Sequence, residues 1–152
     1  MQVTRLKRAD LPVVIRARAL FDRPFSPGAA LAYLEDDRNV FLLAMEADEP
    51  VGFLRGTALG QLASRRPQMF LYEIGVGARY RRRGIGRALV RALIEYCRAR
   101  DFEEIFVLTD PSNTAAVGLY RETGARTETP GDRMFVYRLG RKTRRSRARE
   151  KS

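Results

Sequence analysis

Apolar and polar positions along the chain predict alternating strands and helices. Residues 70–76 alternate and are rich in residues that favour β-structure, which predicts a strand. Residues 105–109 form a short, continuous apolar run, which is typical of a buried strand. Between them, apolar side chains recur at the spacing of one helix face: Ile85, Ala88, Leu89, Ala92, Leu93 and Tyr96.

The rest of the pattern completes a mixed α/β domain. Further strands are predicted over residues 3–8, 40–47, 51–59 and 134–139. Further helices are predicted from Asp10 to about residue 21, from Ser26 to residue 34, and over residues 114–123 after the N-cap Asn113. A turn at residues 48–50 joins the two middle strands. The order predicts one domain over residues 1–139, a mixed α/β sheet covered by helices.

Residues 81–86 read Arg-Arg-Arg-Gly-Ile-Gly and lie between the 70–76 strand and the long helix. Glycines at such a junction let backbone N–H groups approach an anion, and the helix N-terminus adds partial positive charge. Neighbouring arginines can add charge-assisted contacts to the same phosphates. The segment predicts a pyrophosphate cradle, with coenzyme A as the expected ligand. The alternative is a solvated basic turn that only starts a helix.

The net charge of +11 is unevenly distributed along the chain. Residues 140–152 carry seven of the 29 basic residues and a single acid, and they lack apolar periodicity. This composition predicts a disordered, basic tail outside the domain. The tail has no aromatic residue to stack on bases, so we expect a solvated appendage rather than a nucleic-acid contact.

Missing residue types limit the chemistry that is open to the chain. It has no histidine, which excludes Ser-His and Cys-His catalysis and a histidine-ligated zinc site, and we expect no metal. Cys97 is the only cysteine, so we expect a reducing, cytoplasmic setting. No apolar run reaches the roughly 20 residues that cross a bilayer, so we expect no membrane contact. A general base must then be a carboxylate or, less readily, Tyr, Lys or water.

Three linked motifs resemble the GNAT superfamily of N-acetyltransferases: the 81–86 cradle, the strand ending Ile74-Gly75-Val76, and Asn113 followed by Leu119-Tyr120 and Gly124. The resemblance covers residues 1–139. It implies a central, mostly antiparallel sheet with helices on both faces, in which the strand before the cradle splays from its neighbour. It also implies acetyl-CoA as cofactor, direct acetyl transfer in a ternary complex, and a possible homodimer.

The resemblance assigns cofactor contacts by position. Backbone groups of Ile74 and Val76 would hold the pantetheine arm and the acetyl carbonyl, with the Val76 N–H on the thioester oxygen. Asn113 and Tyr120 match a second cofactor-side motif, and the Tyr120 hydroxyl would protonate the departing thiolate. An aromatic anchor for the last helix is the alternative for Tyr120. The pyrophosphate would be held by the cradle residues Arg81, Arg82, Arg83, Gly84, Ile85, Gly86 and Arg87.

A narrower resemblance is to the type I aminoglycoside 3-N-acetyltransferases. It rests on residues 20–25, 69–76 and 107–110, which read Leu-Phe-Asp-Arg-Pro-Phe, Met-Phe-Leu-Tyr-Glu-Ile-Gly-Val and Val-Leu-Thr-Asp. Those enzymes acetylate the 3-amino group of the 2-deoxystreptamine ring in gentamicin-like antibiotics. The resemblance therefore implies an antibiotic-resistance enzyme whose substrate is a cationic small-molecule amine.

Glu73 is the candidate general base. Attack on a thioester needs a neutral amine, whereas an alkylamine has a pKa of about 10. Glu73 lies in the strand that would flank the thioester, and alternate strand residues share a face. Glu73 and Gly75 should then point one way, and Ile74 and Val76 the other. We predict that Glu73 takes the proton and contacts the substrate amine, directly or through a water, rather than serving as an exposed strand residue.

Other acids are candidates for substrate binding. Asp110 follows the 105–109 strand, at the edge where α/β sheets place ligands. A turn or capping role before Pro111 is equally open, and the family resemblance favours contact with substrate amines. Four further acids are secondary candidates for an acidic rim that attracts a polycation: Asp22, Glu35, Asp36 and Asp37.

Two other functions are consistent with the sequence. One is a GNAT enzyme that acetylates a protein N-terminus, a polyamine or another small amine. The other is a nucleic-acid- or ribosome-associated module that uses the tail and binds acyl-CoA only as a regulator. Salt-sensitive RNA or DNA binding that disappears when residues 140–152 are deleted would indicate the second.

Overall fold

The structure is a computed structural model that describes residues 1–128, 131, 132, 134, 135 and 137–139. Within this part of the chain, one sheet contains β1 (Gln2–Arg5), β2 (Asn39–Glu46), β3 (Glu49–Leu59), β4 (Gln68–Val76) and β5 (Glu104–Val107). The α-helices are α1 (Leu11–Arg16), α2 (Pro27–Glu35), α3 (Ile85–Ala99) and α4 (Thr114–Glu122). Short 3-10 helices cover Arg8–Asp10, Ala17–Leu20 and Ala78–Tyr80.

The strands lie side by side in chain order. Each pair from β1 to β4 is antiparallel, whereas β5 runs parallel to β4. A parallel neighbour requires a crossover connection, and α3 supplies it between β4 and β5. The predicted mixed α/β architecture with a mostly antiparallel sheet is confirmed.

Apolar side chains cover the sheet on both faces. On one face, α3 buries Ile85, Leu89 and Leu93 against the middle strands. On the other face, α1 and α2 pack over an aromatic cluster in which the rings of Phe21 and Phe53 stack with centroids 3.9 Å apart. Each fully buried side chain of this size contributes about 1.5–3 kcal/mol relative to an exposed one. The sheet is therefore a rigid base for groups at its edges.

A β-bulge interrupts β4 at Tyr72. Arg55 of β3 pairs with Glu73, while the next residue, Gly56, pairs with Leu71, so Tyr72 is extra on β4. In such a bulge, two residues on one strand oppose one on the other. Tyr72 and Glu73 therefore both lie beside Arg55.

The bulge also decides which side chains of β4 face α3. Leu71 packs in the α3-facing core, and so do Ile74 and Val76, although an uninterrupted strand would alternate differently. Gly75 instead faces the aromatic cluster on the opposite side. Glu73 lies on that opposite side with Gly75, as the alternation within residues 73–76 predicted.

The predicted first helix is wrong in its details. α1 ends at Arg16, and the chain tightens into the 3-10 helix Ala17–Leu20 before residue 21. The Asp10 carboxylate accepts a hydrogen bond from the Lys7 backbone N–H at 2.7 Å and does not cap α1. A local turn therefore competes successfully for the side chain that was expected to cap the helix.

Two predicted boundaries also shift. β1 ends at Arg5 rather than at residue 8, and the 3-10 helix Arg8–Asp10 includes the last residue of the predicted strand. The β2–β3 turn lies at Ala47 and Asp48, with φ of 44° and 65°, rather than at residues 48–50. Two successive left-handed residues give the tight turn whose twist matches the flanking strands.

The predicted last strand is not found among the described residues of the 134–139 range, which are 134, 135 and 137–139. Large apolar side chains there are 72–90% exposed: Met134, Phe135, Tyr137 and Leu139. Alternating apolar residues indicate a strand only where a neighbouring surface buries one face, and these side chains have none. The tail predicted over residues 140–152 lies outside the described residues. No helix in the described part of the chain combines the length and apolar character needed to cross a membrane.

Candidate active site

Pairing between β4 and β5 stops halfway along β4. The register runs from Gln68 opposite Glu104 to Leu71 opposite Val107, and β4 then continues to Val76 without β5. The strands part beyond Leu71 and leave a gap beside the C-terminal half of β4. This is the splayed pair that the family resemblance implied.

Backbone groups of Ile74 and Val76 point into this gap. The Gly77 N–H donates to the Val51 carbonyl oxygen at 2.9 Å, and hydrogen-bonded pairs alternate along an antiparallel ladder. Gly75 and Gly77 therefore direct their backbone groups toward β3, whereas Ile74 and Val76 direct theirs away from it. Backbone polar groups need partners, so this edge can bind a ligand of peptide-like chemistry.

The N-terminus of α3 presents free backbone donors at the end of the same gap. Its first helical bond runs from the Ala88 N–H to the Gly84 carbonyl oxygen at 3.0 Å, so the N–H groups of residues 85–87 have no partner within the helix. No side chain caps this end. An anion here would meet three N–H donors and the positive end of the helix dipole.

The two cradle positions Gly84 and Gly86 require glycine for different structural reasons. Gly84 has φ of 80°, a left-handed conformation that favours glycine, and an added Cβ there would meet nothing within 4 Å. At Gly86, an added Cβ would lie 3.3 Å from Leu119 Cδ2. Gly84 therefore leaves space open beside the free N–H groups, while Gly86 lets α3 approach α4.

The cradle arginines are partly engaged with other groups. Arg83 pairs with Glu46 at 3.0 Å and Arg87 with Glu122 at 2.8 Å. The Arg81 Nε donates to the Val76 carbonyl oxygen at 3.3 Å. The Arg82 side chain makes no hydrogen bond or ion pair within the described residues, and its φ is 61°. Exposed ion pairs contribute about 0–1 kcal/mol, so Arg83 and Arg87 can exchange a carboxylate for a phosphate at little cost.

Glu73 forms a partly buried ion pair that the sequence did not predict. The Arg55 Nε donates to Glu73 Oε2 at 2.7 Å, and both side chains are 29% exposed. The Arg55 guanidinium also lies over the rings of Tyr72, at 4.2 Å from its centroid, and Tyr33, at 5.6 Å. Burial raises the pKa of Tyr33 to about 12, so its hydroxyl stays protonated. The sequence signal that could have indicated this pair is the presence of Arg55 and Glu73 at interior positions of two largely apolar strands.

Asp110 is used in a turn. Its Oδ1 accepts a hydrogen bond from the Ser112 backbone N–H at 2.8 Å, and this bond holds the pKa of the Asp110 carboxyl below its ordinary value. The residue is exposed and lies beyond the C-terminal end of β5. Asp110 therefore has the turn role that the sequence left open.

The other four acids do not gather around Glu73. Glu35 pairs with Arg8 at 3.2 Å, and Asp36 pairs with Arg38 at 2.8 Å. The hydrogen bond from Arg38 lowers the pKa of Asp36 to about 2. Asp37 lines a small cavity with Arg5, Lys7 and Asp36, and Asp22 is exposed without a polar partner in the described part of the chain. Arginines thus neutralise two members of the expected acidic rim.

α4 carries the second predicted motif. The Asn113 side chain accepts from the Ala116 N–H at 3.1 Å, which confirms the predicted N-cap. Tyr120 packs against the α3-facing core, and burial raises the pKa of its hydroxyl above the ordinary value. Its aromatic ring therefore anchors α4, and its hydroxyl makes no hydrogen bond within the described residues.

Comparison with known families identifies this arrangement. The sequence model of the acetyltransferase (GNAT) family matches residues 8–125, which include the splayed strand, the cradle and α4. The chain belongs to the GNAT acetyltransferase family. The cofactor that goes with this family is acetyl-CoA.

The proteins similar to this GNAT chain include N-acetyltransferases of family 8 and aminoglycoside acetyltransferases. N-acetyltransferase family 8 member 3 of Rattus norvegicus is 29% identical over 107 residues, which are 70% of this chain and 47% of that protein. The matched segment thus spans about half the length of that relative. An aminoglycoside acetyltransferase, meta-AAC0020 from an uncultured soil sample, in complex with sisomicin, is 26% identical with a TM-score of 0.83. That match covers 91% of this chain and 96% of the other.

A second solved structure is similar along almost its whole length. The aminoglycoside acetyltransferase HMB0005 from an uncultured soil sample is 28% identical with a TM-score of 0.77, and the match covers 90% of this chain and 98% of that one.

The residues of this GNAT chain fit the cofactor. Open N–H groups of residues 85–87 suit a pyrophosphate, and the left-handed Gly84 leaves the space beside them free. Beyond the paired part of β4, both backbone groups of Ile74 and the N–H of Val76 suit the amide groups of a pantetheine arm. Both features lie at one end of one gap, as a single extended ligand requires.

Proposed function

We propose that this chain is an acetyl-CoA-dependent N-acetyltransferase that modifies the 3-amino group of aminoglycoside antibiotics. The observation that carries the proposal is the position of Glu73 on β4, next to Ile74 and on the same strand as the open Val76 N–H. The aminoglycoside substrate is supported by the two structurally similar aminoglycoside acetyltransferases. Resistance to such antibiotics is the biological role that goes with this substrate.

The cofactor contacts follow from the backbone. The N–H groups of residues 85–87 and the side chains of Arg81, Arg82 and Arg83 would hold the pyrophosphate. The backbone groups of Ile74 would hold the pantetheine arm, and the open N–H of Val76 would hold the acetyl carbonyl oxygen. When bound, acetyl-CoA supplies an acetyl group activated as a thioester. The protein's task is then to deliver a neutral amine in line with it.

Glu73 would remove the proton from the acceptor amine. Its Cα and that of Val76 are separated by about 10 Å, since an extended strand rises about 3.3 Å per residue. The glutamate side chain and one water span that distance. Its position on the face opposite α3 brings the acceptor in from the side that carries Tyr72 and Arg55.

Tyr120 would return a proton to the departing sulfur. Because burial raises its pKa, the hydroxyl remains protonated at neutral pH. We expect Tyr120→Phe to lower kcat by about 3- to 10-fold, since a thiolate leaves readily without help. The kcat is measured from the rate of thiol release. Tyr96→Phe on α3 is the matched control, and we expect its kcat to be unchanged. A kcat for Tyr120→Phe equal to that of the control would contradict the role.

The substrate assignment is tested by acetyl-CoA-dependent thiol release with gentamicin, kanamycin, spermidine and an N-terminal peptide as parallel acceptors. We expect turnover on gentamicin, with mass spectrometry placing one acetyl group on the 3-amine. Acetylation at another ring position would keep the substrate class and reject the 3-N assignment. Turnover confined to the peptide or spermidine would reject the antibiotic.

A second candidate acceptor is a less highly charged amine, such as a protein N-terminus or another small amine. It is favoured by the arginines that neutralise Glu35, Asp36 and Glu73, because a polycation gains less attraction from paired carboxylates. The homodimer and the solvated tail over residues 140–152 stay predictions, and a nucleic-acid contact through that tail stays the alternative.

A further inference from the structure

Arg55 is held against Glu73 from three directions. Its Nε donates to Glu73 Oε2 at 2.7 Å, and its guanidinium lies 4.2 Å from the ring centroid of Tyr72. On the third side is the ring of Tyr33, whose hydroxyl lies 2.8 Å from the carbonyl oxygen of Gly56, next to Arg55 in β3. Aromatic faces attract a guanidinium, most strongly where water is partly excluded. Arg55 is therefore fixed in place rather than free in solvent.

The β4 bulge creates this contact. It places Tyr72 and Glu73 together opposite Arg55, so one strand supplies both the carboxylate and an aromatic face for the same guanidinium. Without the extra residue, Glu73 would follow Leu71 onto the α3 side of the sheet. The ion pair is thus built into the strand that also offers the backbone groups of the gap.

We propose that Arg55 is a positioning residue for the acetyl transfer. It occupies Oε2 of Glu73 and so leaves Oε1 as the oxygen that takes the proton of the acceptor amine, directly or through a water. This inference rests on the proposed function of Glu73 as the base. Arg55 itself acts through the carboxylate and does not touch the reacting atoms.

The pairing has a second consequence, for acceptor binding. Arg55 balances the charge of Glu73, so a cationic acceptor gains little attraction from that carboxylate. Removing the guanidinium would leave an unbalanced negative charge beside the acceptor. Acceptor binding should then stay the same or strengthen, while the transfer step slows. General damage to the site would instead weaken both.

The test uses the full chain with Arg55→Met and Arg55→Lys. We expect Arg55→Met to lower kcat about 10-fold or more, with the acceptor KM unchanged or lower and calorimetric acetyl-CoA affinity unchanged. Arg55→Lys should recover part of the kcat, because it keeps the charge but loses the planar fork. Arg66→Met is the matched control, since Arg66 also donates its Nε to a carboxylate, that of Asp101, at 3.1 Å. If Arg55→Met does not fold, Arg55→Gln takes its place with the same expected loss.

A double-mutant cycle separates positioning from general support. If Arg55 acts through Glu73, Arg55→Met should cause no further loss of kcat in a Glu73→Gln background. Equal losses in both backgrounds, a raised acceptor KM, or a kcat matching that of Arg66→Met would overturn the inference. An impaired Glu73→Gln with normal Arg55 variants rejects this inference alone. A fully active Glu73→Gln rejects the proposed base as well.

Discussion

Glu73→Gln is expected to lower kcat for acetyl transfer about 100-fold or more while leaving acetyl-CoA affinity unchanged. A general base contributes about 10²- to 10⁴-fold, and an amide cannot take the proton. The replacement keeps the size of the side chain and an oxygen that can accept from the Arg55 Nε, now 2.7 Å from the carboxylate. The fold and the cradle should therefore be preserved.

Steady-state kinetics with gentamicin, the proposed acceptor, and calorimetry with acetyl-CoA measure the two quantities. Glu104→Gln is a suitable control, because Glu104 is an exposed strand glutamate at the end of β5 distant from the gap. We expect this control to match the unmodified chain in both measurements. Retention of more than about half of the kcat by Glu73→Gln would show that another group or the solvent removes the proton.

Gly84→Val is expected to weaken acetyl-CoA binding by about 10-fold or more, equivalent to about 1.4 kcal/mol. The φ of 80° is unfavourable for a β-branched residue, and the added side chain would fill the open space beside the N–H groups of residues 85–87. Both effects act on the pyrophosphate cradle. The acceptor KM should change little.

Gly124→Val separates strain from blocked access. Gly124 has φ of 100° and also has nothing within 4 Å of an added Cβ, but it lies after the end of α4 and not at the start of α3. Each substitution should cost about 1–3 kcal/mol of folding stability, measured by thermal unfolding. Only Gly84→Val should reduce acetyl-CoA affinity in calorimetry. Equal loss of affinity in both variants would attribute the effect to destabilisation and reject the cradle.

Local sequence determined the cofactor side of this protein. The amphipathic pattern of α3, the glycines at its start and the cap at Asn113 act over a few residues, so their consequences could be predicted without a fold. The family resemblance rested on these motifs, and that resemblance in turn implied the splayed strand. The predicted strand over residues 134–139 was wrong for its described residues, because alternation alone does not supply a surface to pack against.

Only the tertiary structure decided the acceptor side. Arg55 and Glu73 are 18 residues apart and meet through strand register, which a one-residue bulge at Tyr72 sets. Arg8, in the first 3-10 helix, likewise reaches Glu35 at the end of α2 through the tertiary structure, whereas Arg38 pairs with Asp36 only two residues away. A sequence records which charges exist, whereas their pairing depends on distances between separate elements. The glycine-rich start of α3 could therefore be predicted from residues that are adjacent in the chain. The environment of Glu73, the proposed base, could not.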